Sequence, residues 1–178
     1  MTNIFFDFDL REFWNDSDFA LKSYVETPPT DELIAEIELE LGGYKLPSSY
    51  VELMKIHNGG KPVNHCYPTS GNCGWADDHV AISGIMGIGR DKIYSLCGEL
   101  GSKFMLEEWG YPEIGICFAN TPTAGHTMFM FDYRKCGKNG EPEIVHVDQE
   151  DNHAIHFIAK DFETFIRGLV NKETFDTE

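Results

Sequence analysis

The residues able to do chemistry fall into a few groups, each with a spacing that allows or forbids a particular reaction. Ile4-Phe5-Phe6-Asp7-Phe8-Asp9 reads as an apolar strand ending in Asp-x-Asp. Two carboxylates so placed could divide attack on phosphorus and proton handling between them, with Asp77-Asp78 cast as a later magnesium pair. Leu10 and Arg11 stand where a small hydroxyl residue belongs, and this chemistry needs a parallel sheet with alternating helices. His65, Cys66, Cys73 and His79 put four donors in one loop. The two cysteines lie further apart than the roughly two to four residues of zinc pairs, so the loop reads as ordinary thiols. His146, His153 and His156 come from two adjacent strand-like segments and read as satisfied sheet histidines. Gly84, Gly87 and Gly89 lack the dinucleotide-binding spacing and bend a strand instead. Cys117, in an apolar strand, is expected to have a raised pKa and to be inert. No His-Glu-x-x-His, Gly-x-Ser-x-Gly or Gly-Lys-Ser/Thr occurs. These residues form no catalytic set, so no enzyme, cofactor or metal is expected.

The elements that would position these side chains follow from periodicity. Residues 1–29 mix aromatics with acids and end at Pro28-Pro29, an ordered lead-in that packs its rings on the body. Thr30 caps a first helix whose Leu33, Ile34, Ile37 and Leu41 form one stripe, and Gly42-Gly43 stop it. A second helix starts at Pro47, with Tyr50, Leu53, Met54 and His57 on one face, and ends at Asn58-Gly59-Gly60. Residues 61–79 read as a long irregular connection. Beyond it the period changes: 80–88 is strand-like but broken by Gly84 and Gly87, 91–96 reads as a short helix, and Ile114, Ile116 and Phe118 alternate as a strand. Residues 127–133 are apolar on both faces, the pattern of a central strand. Asn139-Gly140 turns the chain into strands over 143–147 and 153–159. Asp161 caps a closing helix with Phe162, Phe165, Ile166, Leu169 and Val170 on one stripe. The expectation is an α+β fold: a mainly antiparallel sheet flanked by N-terminal helices and a C-terminal helix, in one domain spanning 1–178.

Charge narrows the partners. The 178 residues carry 14 Lys and Arg against 30 Asp and Glu, a net charge of −16. Proteins that grip nucleic acid need cations to displace the counterions of phosphates, so direct nucleic-acid binding is excluded, and anionic membrane surfaces are disfavoured for the same reason. No apolar run approaches the roughly 20 residues of a membrane helix, and the start lacks the pattern of a signal peptide. Five cysteines in a chain of this size suit a reducing cytoplasm. Acids gather over 26–40, at Glu107-Glu108, over 148–151 and at the C-terminus. Such a surface keeps a protein soluble, and it also steers cationic proteins, raising association rates by about tenfold or more at low salt.

Leu41-Gly42-Gly43-Tyr44-Lys45-Leu46-Pro47-Ser48-Ser49-Tyr50, closing with Asn58-Gly59-Gly60, resembles the opening signature of the SUKH superfamily, named for yeast cell-wall regulators of the Smi/Knr family. The resemblance continues through Trp75, 85–89, Glu108-Trp109-Gly110-Tyr111-Pro112, Ala124-Gly125-His126, Asp132-Tyr133, Gly140-Glu141-Pro142 and the helix from Phe162 to Leu169. It covers about residues 30–170 and is bacterial in style, with Thr127 where an acidic residue follows Ala-Gly-His in the pattern. It implies a non-enzymatic α+β protein that acts as an immunity protein (antitoxin) in the cytoplasm. Such a protein neutralises a bacterial toxin domain, typically a basic nuclease, by covering it. The alternative it implies is a general scaffold or regulatory module of the cell-wall-regulator kind. Most motif positions have scaffold readings, since Pro47 opens a helix and the glycines stop or turn elements. Trp75 with Asp77 and Asp78, and Trp109 with Glu107 and Glu108, are the expected partner-binding residues: aromatic anchors ringed by acids.

Overall fold

The computed structural model describes residues 3–71 and 76–176. Among them the chain runs α1 (Leu10–Phe13), α2 (Asp18–Ser23), α3 (Asp31–Glu40), α4 (Ser48–Ile56), β1 (Cys66–Pro68), β2 (His79–Ala81), β3 (Gly84–Ile85), α5 (Ser102–Trp109), β4 (Gly115–Asn120), β5 (Thr127–Asp132), β6 (Glu143–Asp148), β7 (Ala154–Ala159) and α6 (Phe162–Gly168). Five strands form one antiparallel sheet in the order β3-β4-β5-β6-β7, and β1 pairs with β2 in a small second sheet. The fold is α+β.

From β4 to β7 each strand pairs antiparallel with the next in sequence, while the link from β3 to β4 carries α5. β5 lies at its centre and every one of its residues is buried, as a run apolar on both faces requires. Alternate side chains leave a strand on opposite faces, and each face has its own cover. On one face Phe118 stacks on Phe131 with ring centres 4.2 Å apart, and both meet Phe162 of α6 edge-on. Tyr50 of α4 closes against Phe131 and Phe162 at 5.3 Å each. On the other face Cys117 receives α5, whose Ser102 hydroxyl accepts the Cys117 N–H at 2.9 Å.

Local chemistry explains the helix ends. Thr30 Oγ1 accepts the Leu33 N–H at 3.1 Å, and Asp161 Oδ1 accepts the Thr164 N–H at 2.8 Å, each satisfying a donor that the helix leaves open. Ile34 and Ile37 of α3, and Tyr50, Leu53 and Met54 of α4, are buried as their stripes require. Pro47 occupies the position just before α4.

The lead-in is part of this core: Phe5, Phe13, Trp14 and Tyr24 are buried. The strand expected at residues 4–9 is a turn instead. Asp7 is held by Arg167 of α6 through hydrogen bonds of 3.0 Å, and Asp9 caps α1 by accepting the Arg11 N–H at 3.0 Å. The guanidinium beside each carboxyl holds it below its usual range. Both carboxylates are thus engaged in local structure.

Residues 91–96 do not form the expected helix. The buried Glu26 carboxylate accepts the N–H groups of Asp91 (2.8 Å) and Lys92 (3.2 Å) and the Ser95 hydroxyl. The Tyr94 N–H goes to Ser23 O and the Leu96 N–H to Gly87 O. Donors that a helix would direct along its own axis are drawn outward by distant acceptors. Four elements arise where none was expected: α1 and α2 in the lead-in, α5, whose N-terminus follows Gly101 without a side-chain cap, and β1 inside the long connection.

β7 is the outer strand of the sheet, and among the described residues no segment pairs with its far side. Its sequence Ala-Ile-His-Phe-Ile-Ala carries no acid, Lys, Arg or Pro, and Phe157 is 61% exposed.

Candidate functional site

Two adjoining cavities open beside the β3–β4 end of the sheet. The first, about 580 Å³, lies between β1, β2, the turn before β5 and Lys172. The second, about 470 Å³, lies between α2, the 94–100 turns, α5 and Gly125. Both volumes fall in the range of ligand sites. Lys61, Ser83 and Thr121 line both cavities, so the two form one concavity with those residues at its waist.

The waist is built by long-range bonds. Lys61 follows Gly60, where the chain leaves α4, and its ammonium donates to Ser83 O at 2.6 Å. That nitrogen also stands 5.6 Å from the Tyr24 ring centre and 5.9 Å from that of Phe19. Burial pulls the Lys61 pKa below its ordinary value. The Tyr24 hydroxyl donates to Asn120 Oδ1 at 2.9 Å. The first cavity carries a hydroxyl cluster: Thr121 Oγ1 lies 2.7 Å from Thr123 Oγ1 and 2.8 Å from Thr127 Oγ1. His146, buried against Phe129 with centres 5.3 Å apart, also lines it. Burial first, and then the neighbouring His156, push its pKa down to about 4.

The second cavity is walled by aromatics, and Trp109 is the one expected from sequence. It ends α5, half-buried, with Glu107 and Glu108 exposed beside it. The Trp109 ring meets His126 edge-on at 5.8 Å, and His126 Nδ1 lies 3.5 Å from Glu150 Oε1. Gly125, at φ +95°, lies under the indole; a Cβ there would come within 3.1 Å of the ring. The His126 ring thereby links the end of α5, which carries Glu107 and Glu108, to Glu150 of the distant 148–151 cluster.

Asp77 and Asp78 are exposed just before β2, and Asp78 Oδ1 lies 2.7 Å from His79 Nδ1. Their neighbours Ala76 and His79 line the first cavity, so this pair borders the concavity on the side away from Trp109. Trp75, and Cys73 of the four-donor loop, lie outside the described residues. Of the other donors in that loop, Cys66 is buried in β1, His65 bonds Val63 O at 3.1 Å, and His79 stacks on Phe175 at 4.3 Å. No group of three or more His, Cys, Asp or Glu among the described residues is placed to hold a metal ion. Burial pushes the Cys117 thiol well up and that of Cys97 up to about 12, which leaves neither as an available nucleophile.

The sequence model of the SMI1/KNR4 family (SUKH-1) matches residues 28–168. The chain belongs to that family. A search of curated proteins gave no match. Several positions that carry the SUKH-1 resemblance are structural. The Tyr50 hydroxyl donates to Met86 O, that of Tyr111 to Gly125 O and that of Tyr133 to Lys45 O. Asn58, almost fully buried, donates through Nδ2 to Thr27 O (2.8 Å) and Ile88 O (2.9 Å) and accepts the Ile88 N–H (2.7 Å). One amide thus fastens three segments.

Sequence reasoning missed Lys61 and the threonine cluster. Lys61 had one usable signal: a lone cation just after the Asn-Gly-Gly helix stop in an acidic chain.

Proposed function

We propose that this chain is an immunity-type binding protein of the SUKH-1 family, acting in the cytoplasm by covering a cationic toxin domain, with a nuclease as the favoured class. It works by stoichiometric occlusion, without turnover. The observation that carries this reading is the half-buried Trp109 set among Glu107, Glu108 and, through His126, Glu150. A large indole gives contact area at small entropic cost, and surrounding carboxylates select a cationic partner. Asp77 and Asp78, at the opposite border of the concavity, belong to the second proposed patch, together with Trp75, which lies outside the described residues.

The test uses the product of the neighbouring coding region, chosen for a cationic C-terminal domain. Co-expression should rescue cells from that domain, and the purified pair should bind one to one. Trp109→Ala should weaken the complex by about 2 kcal/mol or more. Glu107→Gln with Glu108→Gln should slow association chiefly at low salt. A cationic neighbour that neither binds nor is neutralised removes this reading for the pair, and binding unchanged in Trp109→Ala removes the assigned surface.

A further inference from the structure

The concavity has a charge pattern opposite to that of the molecule. The chain has more than two acids for each Lys or Arg, yet no Asp or Glu is found among the described residues lining either cavity. The lining supplies Lys61 and Lys172, three histidines and the threonine hydroxyls. At its waist, Lys61 is a half-buried ammonium held by a carbonyl and two ring faces, with no carboxylate partner among the described residues. The arginines elsewhere take carboxylates: Arg90 pairs with Glu40, Arg134 with Asp132 and Arg167 with Asp7. In so acidic a protein a counter-charge for Lys61 was easily supplied, and a desolvated cation without one is costly. Burial destabilises the charged form of Lys61, and an arriving anion would restore it.

Beside that ammonium lies a chamber with aromatic walls. Tyr24 and Tyr94 are stacked 4.6 Å apart, and with Phe19, Phe104 and Trp109 they line the second cavity. Aromatic walls beside one charged donor and several hydroxyls match the general make-up of small-molecule sites, apolar surface with a few placed polar groups.

We propose that this concavity binds a small aromatic anion, with its ring in the Tyr24–Trp109 chamber and its anionic oxygens on Lys61 and the neighbouring threonine hydroxyls. The absence of arginine from the lining favours phosphate over a forked carboxylate contact, because lysine acts as a point charge and hydroxyls donate singly. The overall negative field opposes entry, but salt confines that repulsion to about 8 Å at physiological ionic strength, so the local cations decide. The proposal does not depend on the identity of any protein partner.

The test titrates the intact chain with phenyl phosphate, inorganic phosphate, phenol and a hexaglutamate peptide at physiological ionic strength, read by ligand-observed NMR and by tryptophan fluorescence. Phenyl phosphate should saturate and bind at least about tenfold more tightly than phenol or inorganic phosphate. Lys61→Met, which keeps the stem and removes the charge, should weaken it about tenfold or more, and Lys138→Met on the exposed surface should leave it unchanged. If Lys61→Met fails to fold, the comparison of phenyl phosphate with phenol and inorganic phosphate in the unaltered chain carries the decision. Phenol binding as tightly as phenyl phosphate, or affinity indifferent to Lys61, overturns the proposal. So does Lys61-dependent binding of hexaglutamate without phenyl phosphate, which would assign the concavity to acidic side chains of a polypeptide.

Discussion

Single side chains here do work that hydropathy patterns do not reveal. His146 is neutral in the folded protein because burial holds its pKa near 4, against 6.5 in an open chain. The folded value lies below the unfolded one, so the unfolded chain binds the extra proton first. Stability from this residue is complete above about pH 6.5 and falls as pH drops toward 4. Between pH 7 and pH 5 it should cost about 2 kcal/mol, and urea unfolding at both pH values, compared with His146→Gln, should show the variant losing less. Asn58 is a second case: Asn58→Ala strands a buried carbonyl pair and an N–H, and should cost about 2–4 kcal/mol in the same assay. The Asn58-Gly59-Gly60 run was legible as the end of a helix, and α4 ends just before it, at Ile56 with His57 as its C-cap. The role of Asn58 as a clamp was hidden because its partners, Thr27 and Ile88, lie some thirty residues away on either side. Trp109 and its glutamates could be named from sequence, while Glu150 joins them only through the fold.

Among elements, legibility followed how much of the evidence was local. The closing helix announced itself through Asp161 and a long apolar stripe, and the central strand through its two-sided apolar run. The α5 helix gave no such notice: it starts after Gly101 without a side-chain cap, and of its few apolar residues Met105 alone is fully buried. The supposed helix at 91–96 had acceptable local propensity and lost to the Glu26 carboxylate, a competitor some 65 residues upstream. The end of α4 offers a sharp test. Gly59 has φ +89°, and a Cβ there would lie 2.7 Å from Tyr24 O and 2.8 Å from Gly87 N. Both neighbours are backbone and cannot yield cheaply, so Gly59→Ala should cost about 2 kcal/mol or more by chemical unfolding. Asp161→Ala, which removes only a cap, should cost about 1 kcal/mol.

At the scale of the molecule, the lead-in and the net charge matter most. The family match begins at residue 28, yet Phe5, Phe13, Trp14 and Tyr24 upstream of it are buried, and Glu26 organises the 91–95 turns. A chain starting at residue 28 should therefore express poorly or unfold at markedly lower denaturant than the full one; equal stability of the two would refute a shared core.

The open flank of β7 has its own consequence. The strand's outer edge is unpaired among the described residues beside an exposed phenylalanine, with no charged side chain in the strand to turn a neighbour away, although its register against β6 shifts between Phe157 and Ala159. Mutual repulsion of like-charged bodies opposes one copy zipping onto the next, and it fades as the medium is acidified toward the isoelectric region near 4.7. Turbidity and thioflavin fluorescence should rise there, and a lysine planted at Phe157 should hold the solution clear.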